Sequence, residues 1–265
     1  MQGDIDVIEP FVLTPSTAGL FLDFDGTLSQ IAERPGDARP LPGVAPRLER
    51  LASRLGLLAI VSGRAAHQLL TWLGPRIEIW GVHGAERTID GAVTLSERAA
   101  VYTDLMEIVK AEAREALGRL DLEGTLLEDK GIMLGLHFRA ATDVEKARRE
   151  LDELAESLAA RHGLTRAGGR MAFELRPPEE FTKAAVVLDR ARELGLRAAA
   201  FVGDDRIDLP GFDALDRLRD EGVHTVRVAV SSPEAPIELL ERADIVVDGP
   251  PGVVELLDAL SGEAA

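Results

Sequence analysis

Two aspartates, one residue apart, end an apolar run near the start of the chain. The run GLFL at residues 19–22 leads into Asp23, Phe24 and Asp25, and Gly26 follows. Two like charges at the end of a buried strand repel each other unless a cation balances them. One carboxylate can attack phosphorus to give an acyl phosphate, and another can move the proton of a leaving alcohol. Alone, the pair could equally be a strand end followed by a turn, but together with the groups described next it indicates phosphoryl transfer, with Asp23 as nucleophile and Asp25 as acid and base.

Other polar groups follow further apolar runs or open a predicted helix. They are Ser62, Gly63 and Arg64 after LLAIV, Gly203, Asp204, Asp205 and Asp208 after AAAFV, and Lys183 after a proline pair. Ligands of parallel α/β sheets bind beyond the carboxyl ends of the strands, so we expect these groups to converge with the aspartates.

A hard divalent cation would balance the converging carboxylates. The chain has no cysteine and no suitable histidine cluster, and all-oxygen ligands favour Mg²⁺. The predicted metal site comprises Asp23, Asp25, Asp204, Asp205 and Asp208, with Asp208 as outer support. Ser62 and Lys183 would bind phosphoryl oxygens, and main-chain amides near Gly26 and Thr27 would add donors.

The elements that must position these residues alternate between strand and helix. This order predicts an α/β fold with a doubly wound, Rossmann-like parallel sheet, covered on both faces because its strands are continuously apolar. The middle of the chain differs: helical patterns at 101–120 and 144–162 flank alternating segments at 132–139 and 171–176. We therefore predict a core domain, 1–86 with 178–265, and an inserted α+β domain, 87–177. Its open sheet face would carry His137, Arg139, Glu174 and Arg176.

Charge and hydropathy exclude several function classes. The formal net charge of −16 argues against nucleic-acid and anionic-membrane partners, which need a basic surface. No apolar run has the length of a membrane span, and the first residues lack a signal-peptide pattern. We expect a cytoplasmic protein, and a monomer because long exposed apolar patterns are missing.

The motifs DFDGT, SGR, Lys183 and GDDxxD resemble, in this order, the four motifs of the haloacid-dehalogenase-like phosphatases. This resemblance implies a Rossmann-like core, Mg²⁺ and an aspartyl-phosphate intermediate. It also implies that the insertion between the second and third motifs is an α/β cap that selects the substrate. The fourth motif reads GDDRIDLPGF, where the family usually has GDDxTDExMF.

A narrower resemblance is to the trehalose-6-phosphate phosphatases. GVHGAE at 81–86 is similar to their GxHGxE segment, LEDK and LHFR at 127–130 and 136–139 to E-x-K…H-x-R, and FELRP at 173–177 to V-E-x-R-P. The implied reaction releases trehalose and phosphate from trehalose 6-phosphate in trehalose biosynthesis, with possible coupling to a synthase. The predicted substrate-binding residues are Gly26, Thr27, Arg64, His83, Glu86, Glu128, Lys130, His137, Arg139 and Glu174.

Several alternatives stay open at this stage. The substrate could be another sugar phosphate, such as sucrose 6-phosphate or a glucosyl- or mannosylglycerate phosphate. The chain could instead be a phosphomutase, or a sugar-phosphate sensor without catalysis. His83 and Glu86 could contact sugar or only shape the hinge, and Arg176 could pair with Glu174.

Overall fold

A computed structural model describes residues 2–32, 35–169, 171–178 and 181–262 of the chain. Its contacts divide the chain into a core unit, Met1–Thr94 with Phe181–Ala265, and an inserted unit, Leu95–Glu180. The predicted boundaries followed residues 86 and 177. The first division falls later because the hairpin after residue 85 extends the core sheet.

Twelve strands and ten α-helices are described. The strands are β1 (Ala18–Leu22), β2 (Leu57–Val61), β3 (Glu78–Gly81), β4 (Glu86–Ile89), β5 (Ala92–Leu95), β6 (Leu126–Asp129), β7 (Leu134–His137), β8 (Thr165–Gly169), β9 (Ala172–Arg176), β10 (Ala198–Gly203), β11 (His224–Ser231) and β12 (Ile245–Asp248). The helices are α1 (Gln2–Leu13), α2 (Val44–Ala52), α3 (Ala66–Leu73), α4 (Glu97–Ala100), α5 (Thr103–Leu120), α6 (Val144–His162), α7 (Lys183–Glu193), α8 (Leu209–Asp220), α9 (Ile237–Arg242) and α10 (Gly249–Leu260). Among them, none is both long and apolar enough to cross a membrane.

The core unit is built on one eight-stranded sheet, in the order β12-β11-β10-β1-β2-β3-β4-β5. The strands from β12 to β3 are parallel, and β4 pairs with β3 in the antiparallel sense. β1 lies in the middle and all five of its residues are buried, as its uninterrupted apolar sequence predicts.

Helices cover both faces of this sheet. Leu20 and Leu22 of β1 point to a cluster formed with α1, α2, α3 and α10. Phe21 points the other way, to a cluster with α7, α8 and α9. Successive strand residues face opposite sides, so one buried strand supports two apolar layers. The predicted α/β architecture with a parallel-sheet core is confirmed.

The inserted unit has a four-stranded antiparallel sheet, β6-β7-β9-β8. Helix α6 packs on β8, β9 and α5. The alternating segment at 132–139 is only partly a strand, because Ile132 and Met133 are buried in the turn that precedes β7. The amide of Lys130 closes that turn by donating to the carbonyl of Met133 at 3.0 Å.

Candidate active site

Three polar side chains stand directly after neighbouring strands of the core sheet. Asp23 follows β1, Ser62 follows β2 and Asp204 follows β10. In the sheet register Leu22 lies beside Ile60 on one side and Val202 on the other. The three strands therefore end at the same edge of the sheet, where parallel α/β proteins bind their ligands.

Lys183, the first residue of α7, carries its ammonium into this edge. Its Nζ donates to Asp23 Oδ1 at 2.6 Å and to Asp208 Oδ1 at 2.7 Å. All three side chains are buried. Burial disfavours the charged lysine, but the charges of Asp208 and Asp23 outweigh it and hold the pKa of Lys183 above its ordinary value.

Three carboxylates meet around this lysine. Oxygens of Asp23, Asp204 and Asp208 all lie within 4.8 Å of one another. Burial raises the pKa of Asp23 to about 7, although Lys183 opposes the change. Burial also raises the pKa of Asp204 to about 8, with further contributions from Asp23 and Asp208. One ammonium does not balance three buried carboxylates, so the group lacks positive charge.

This donor set fits Mg²⁺. All the ligand atoms are carboxylate oxygens, which a small hard cation prefers. Gly26 leaves room beside them: its φ is +77°, and a Cβ there would lie 2.0 Å from Asp204 Oδ2. Only a glycine fits at this position, because it tolerates the positive φ and has no Cβ to collide with Asp204.

Asp208 also orders the loop after β10. Its Oδ2 accepts from the amides of Asp204 and Asp205, each at 3.0 Å. The Asp205 carboxylate accepts from the amide of Arg206 at 2.7 Å. Asp208, expected as outer support, is thus one of the three converging carboxylates. Asp205, predicted as a ligand, has its side chain turned to its own loop.

The residues that depart from the usual fourth motif, Ile207, Leu209 and Pro210, fit the positions that they occupy in the structure. Ile207 is exposed, whereas Leu209 is buried in the apolar cluster beneath α7 and α8. Pro210 lies in the first turn of α8, where a proline costs no helical hydrogen bond. These substitutions leave Asp204 and Asp208 in place.

The Asp25 carboxylate is bound by Arg64. Arg64 Nε and Nη2 donate to Asp25 Oδ2 and Oδ1, each at 2.7 Å. Asp25 was predicted as a metal ligand and Arg64 as a substrate contact. In the structure they pair with each other, and the Asp25 carboxylate lies outside the three-carboxylate group.

The remaining predicted phosphate contacts differ in whether their hydrogen-bonding groups already have partners in the protein. The amides of Gly26 and Thr27 already donate to the carbonyls of Ser29 and Phe24, at 3.0 and 3.3 Å. These two amides are therefore paired within their own loop, and donation to phosphate from main-chain amides near Gly26 and Thr27 stays a prediction. Thr27 Oγ1, by contrast, is buried and has no hydrogen-bond partner among the described residues. Ser62 is buried, and its Oγ accepts from the amide of Arg64 at 3.2 Å.

His83 and Glu86 hold the loop that carries Ser62 and Arg64. The His83 amide donates to the Ser62 carbonyl at 2.9 Å. Glu86 Oε2 accepts from the amide of Ala66 at 2.6 Å. Burial raises the pKa of Glu86, and the Ala66 amide opposes the change. These contacts support the loop after β2, and the predicted contact of both residues with substrate stays a prediction.

Four predicted sugar contacts meet on one face of the inserted unit's sheet. His137 Nε2 lies 2.8 Å from Glu128 Oε2, and Lys130 Nζ lies 2.5 Å from Glu174 Oε1. Gly135 of β7 stands opposite Glu128 on one side and Glu174 on the other, and a Cβ there would lie 2.9 Å from His137 Nε2. None of the motifs includes Gly135 as a site residue, although a glycine inside a strand pattern often marks a close approach of another group. Arg139, the fifth predicted sugar contact of this unit, is exposed in the turn after β7.

Comparisons with known proteins identify the family of this chain. The trehalose-phosphatase family model matches residues 21–243. The trehalose-phosphate phosphatase of Mycobacterium leprae (strain TN) is 32% identical over 228 residues, which are 81% of this chain and 51% of that protein. The chain thus spans about half the length of this curated relative.

Two solved structures show the fold. The C-terminal domain of Candida albicans trehalose-6-phosphate phosphatase has a TM-score of 0.77 at 20% identity, covering 100% of this chain and 98% of that one. A haloacid dehalogenase-like hydrolase from Bacteroides thetaiotaomicron has a TM-score of 0.59 at 16% identity, covering 92% and 97%. With the family model matching most of its length, the chain belongs to the trehalose-phosphatase family.

Proposed function

We propose that this chain hydrolyses trehalose 6-phosphate to trehalose and phosphate, with Mg²⁺ and an aspartyl phosphate on Asp23. The observation that carries the proposal is the buried Asp23 at the end of β1, bound by Lys183 beside Asp204 and Asp208. Membership of the family and the names of the relatives support the choice of substrate.

The first half-reaction transfers the phosphoryl group to the enzyme. A carboxylate oxygen of Asp23 forms a bond to phosphorus while the bond from phosphorus to the sugar oxygen breaks. The electron pair of that bond goes to the sugar oxygen, which takes a proton from Asp25. Lys183 holds Asp23 through its Oδ1 and places positive charge beside the reacting group.

The second half-reaction releases phosphate. Asp25 takes a proton from water, the water oxygen bonds to phosphorus, and the bond from phosphorus to Asp23 breaks. Asp25 thereby regains the proton that it lost, and Asp23 returns as a carboxylate. Mg²⁺, held by the oxygens of Asp23, Asp204 and Asp208, would supply the positive charge that offsets the phosphate and carboxylate charges. Thr27 Oγ1, buried without a partner among the described residues, would donate to phosphate.

Substrate choice is assigned to the inserted unit. Its sheet face brings together two carboxylates, an ammonium and an imidazole, on Glu128, Glu174, Lys130 and His137. Such groups can hydrogen-bond the many hydroxyls of a disaccharide, and polar complementarity of this kind rejects ligands that lack the hydroxyls. We further propose that the enzyme acts as a cytoplasmic monomer beside a synthase that makes its substrate.

The test is phosphate release from trehalose 6-phosphate, glucose 6-phosphate, sucrose 6-phosphate and glucosylglycerate phosphate, each with Mg²⁺ and with EDTA. We expect Mg²⁺-dependent release with strong preference for trehalose 6-phosphate. Asp23→Asn should abolish release without unfolding the protein. Asp189→Asn, on an exposed position of α7, is the matched control and should keep full activity.

Other outcomes would redirect the proposal. Preference for another sugar phosphate would keep the mechanism and change the substrate. Net isomerisation of a sugar phosphate would indicate a phosphomutase, and tight binding without turnover a sensor. Full activity of Asp23→Asn would contradict the aspartyl-phosphate mechanism.

A further inference from the structure

We propose that Arg64 is a positioning residue that fixes the orientation of the Asp25 carboxylate, and that residues 81–86 hold Arg64 for this task. The inference rests on the proposed function, because it assigns Asp25 the proton transfers. It replaces the expectation that Arg64 contacts substrate, and it gives the GVHGAE segment a role in catalysis through protein contacts.

Arg64 and Asp25 form a bidentate pair. Two parallel hydrogen bonds of 2.7 Å join the guanidinium to both oxygens of Asp25. A bidentate pair sets the plane of the carboxylate as well as its distance, which a single lysine donor cannot do. The Asp25 side chain is 41% exposed and that of Arg64 only 8%. The rotatable partner is thus Asp25, and the buried partner anchors it.

The second step is the support behind Arg64. Its guanidinium carbon lies 5.5 Å from the ring centroids of both Phe24 and Trp72, and these two rings stack at 5.3 Å. Arg64 Nη1 also donates to Gln68 Oε1 at 3.0 Å. Two aromatic rings and a third hydrogen bond restrain the guanidinium, so the side chain is preorganised for its partner.

The third step is the backbone under Arg64. The carbonyl of Arg64 accepts from the amide of Val82 at 2.9 Å, and Glu86 binds the amide of Ala66 two residues on, at 2.6 Å. Val82 and His83 have φ of 50° and 58°, a left-handed conformation that is unfavourable for a β-branched residue. Backbone strain of this kind persists where surrounding contacts stabilise the conformation. Here the contacts of Val82 and Glu86 hold the loop that carries Arg64.

Arg64 therefore positions the Asp25 carboxylate, and Asp25 transfers the protons. The carboxylate that moves protons must be placed to within a fraction of an ångström, and a small misplacement costs a large factor in rate. The fork of Arg64 is occupied by Asp25, so its removal should impair proton transfer rather than substrate binding. The loss should therefore appear in kcat, and only when Asp25 is present to be positioned.

The experiment is a double-mutant cycle of Arg64→Lys and Asp25→Asn, measured with phenyl phosphate and trehalose 6-phosphate in Mg²⁺. Phenyl phosphate needs no sugar recognition, and its phenolate depends less on protonation than a sugar oxygen does, but hydrolysis of the phosphoenzyme still needs Asp25 to take a proton from water. We expect Arg64→Lys to lower kcat by about tenfold to a hundredfold, with KM within about twofold. In the Asp25→Asn background the same substitution should cause no further loss.

Two more variants accompany the cycle, one as a control and one as a second test. Arg39→Lys is the matched control, because the Arg39 guanidinium carbon also lies 5.0 Å from the Trp72 ring centroid, while its Nη1 donates to the carbonyls of Gly36 and Ala38. The activity of this variant should be unchanged. Glu86→Gln keeps a hydrogen-bond acceptor but removes the charge, and should show a smaller kcat loss that also disappears with Asp25→Asn. Melting temperatures identify any variant that fails to fold, and Glu86→Gln then carries the test.

The outcomes separate this inference from the proposed function. Additive losses with a raised KM would overturn the positioning role and make Arg64 a substrate contact. Turnover of phenyl phosphate without turnover of trehalose 6-phosphate would contradict the proposed substrate and leave the cycle intact. Full activity of Asp25→Asn on both esters, or no turnover of either ester by the wild type, would overturn both.

Discussion

Lys183 and Asp208 form a buried ion pair next to the candidate nucleophile. Their Nζ and Oδ1 atoms lie 2.7 Å apart, and the side chains are 3% and 1% exposed. A charge taken out of water at this depth is tolerated only with a close partner and good hydrogen bonds. The pair holds the lysine beside Asp23. Because each group depends on the other in this buried site, removing one of them should destabilise the fold.

Asp208→Asn should lower the free energy of unfolding by about 1–3 kcal/mol, the cost of weakening buried hydrogen bonds to a charged group, because Lys183 keeps its second partner Asp23 at 2.6 Å. The asparagine keeps the shape of the side chain, so packing should change little. Urea unfolding followed by circular dichroism measures the difference. Asp189→Asn removes the same charge from an exposed position on α7 and should cost less than about 0.5 kcal/mol. Equal costs at the two positions would refute the buried-pair argument.

Metal-free protein should lose stability as the pH rises. Burial raises the pKa of Asp23 from 3.8 to about 7 and that of Asp204 from 3.8 to about 8. The folded state therefore binds more protons than the unfolded state between these limits. The contribution of the two groups is fully present below about pH 4. It is lost as the pH rises through about 7 and 8, and melting temperatures in EDTA would follow this fall.

Mg²⁺ should reverse the trend, because it binds the ionised carboxylates. We expect the increase in melting temperature on adding Mg²⁺ to be small at pH 5 and to grow towards pH 8. Asp204→Asn should remove most of this increase, while Asp189→Asn should keep it. The same increase at pH 5 and pH 8 would mean that the cation does not bind this group.

The convergence of Asp23, Ser62 and Asp204 could be predicted from the sequence. Each follows an apolar run, and neighbouring parallel strands end at one edge of a sheet. The place of Lys183 at the start of α7 follows from the same topology. These predictions depend on which segments form strands and on their connections, and the apolar patterns of the sequence indicate both.

The partners within the site could not be predicted in the same way. Asp205 and Asp208 lie in one short turn, and capping of the Arg206 amide decides which carboxylate faces inwards. Asp25 and Arg64 are 39 positions apart, and no spacing rule shows that their side chains pair. Side-chain direction in a loop depends on local hydrogen bonds that composition and periodicity do not record.

Gly26→Ala should damage the carboxylate group specifically. Its backbone is left-handed, and an added Cβ would lie 2.0 Å from Asp204 Oδ2, so Asp204 must move. We expect weaker Mg²⁺ binding, measured by titration calorimetry, together with lower stability. Gly118→Ala is the matched control, since Gly118 lies in α5 with nothing near its Cβ position. It should raise stability by about 0.5–1 kcal/mol, and loss of Mg²⁺ affinity in both variants would show a general effect.

Gly135→Ala should impair sugar recognition alone. The new methyl group would lie 2.9 Å from His137 Nε2 and 3.4 Å from Glu128 Oε2, which are hydrogen-bonded to each other. The pair must shift, and we expect KM for trehalose 6-phosphate to rise by about threefold to tenfold, the loss of about one hydrogen bond. Hydrolysis of phenyl phosphate, which has no sugar, should be unchanged.

The control for this prediction lies in the same sheet. Gly168 of β8 has nothing within 4 Å of its Cβ position, so Gly168→Ala adds the same methyl group without touching the polar face. Its KM for trehalose 6-phosphate should equal that of the wild type. If Gly135→Ala slowed both esters equally, the change would have reached the reacting groups, and the face that carries His137 and Glu128 would not be the element that selects the sugar. A rise confined to the sugar ester would separate selection by this sheet from phosphoryl transfer at Asp23.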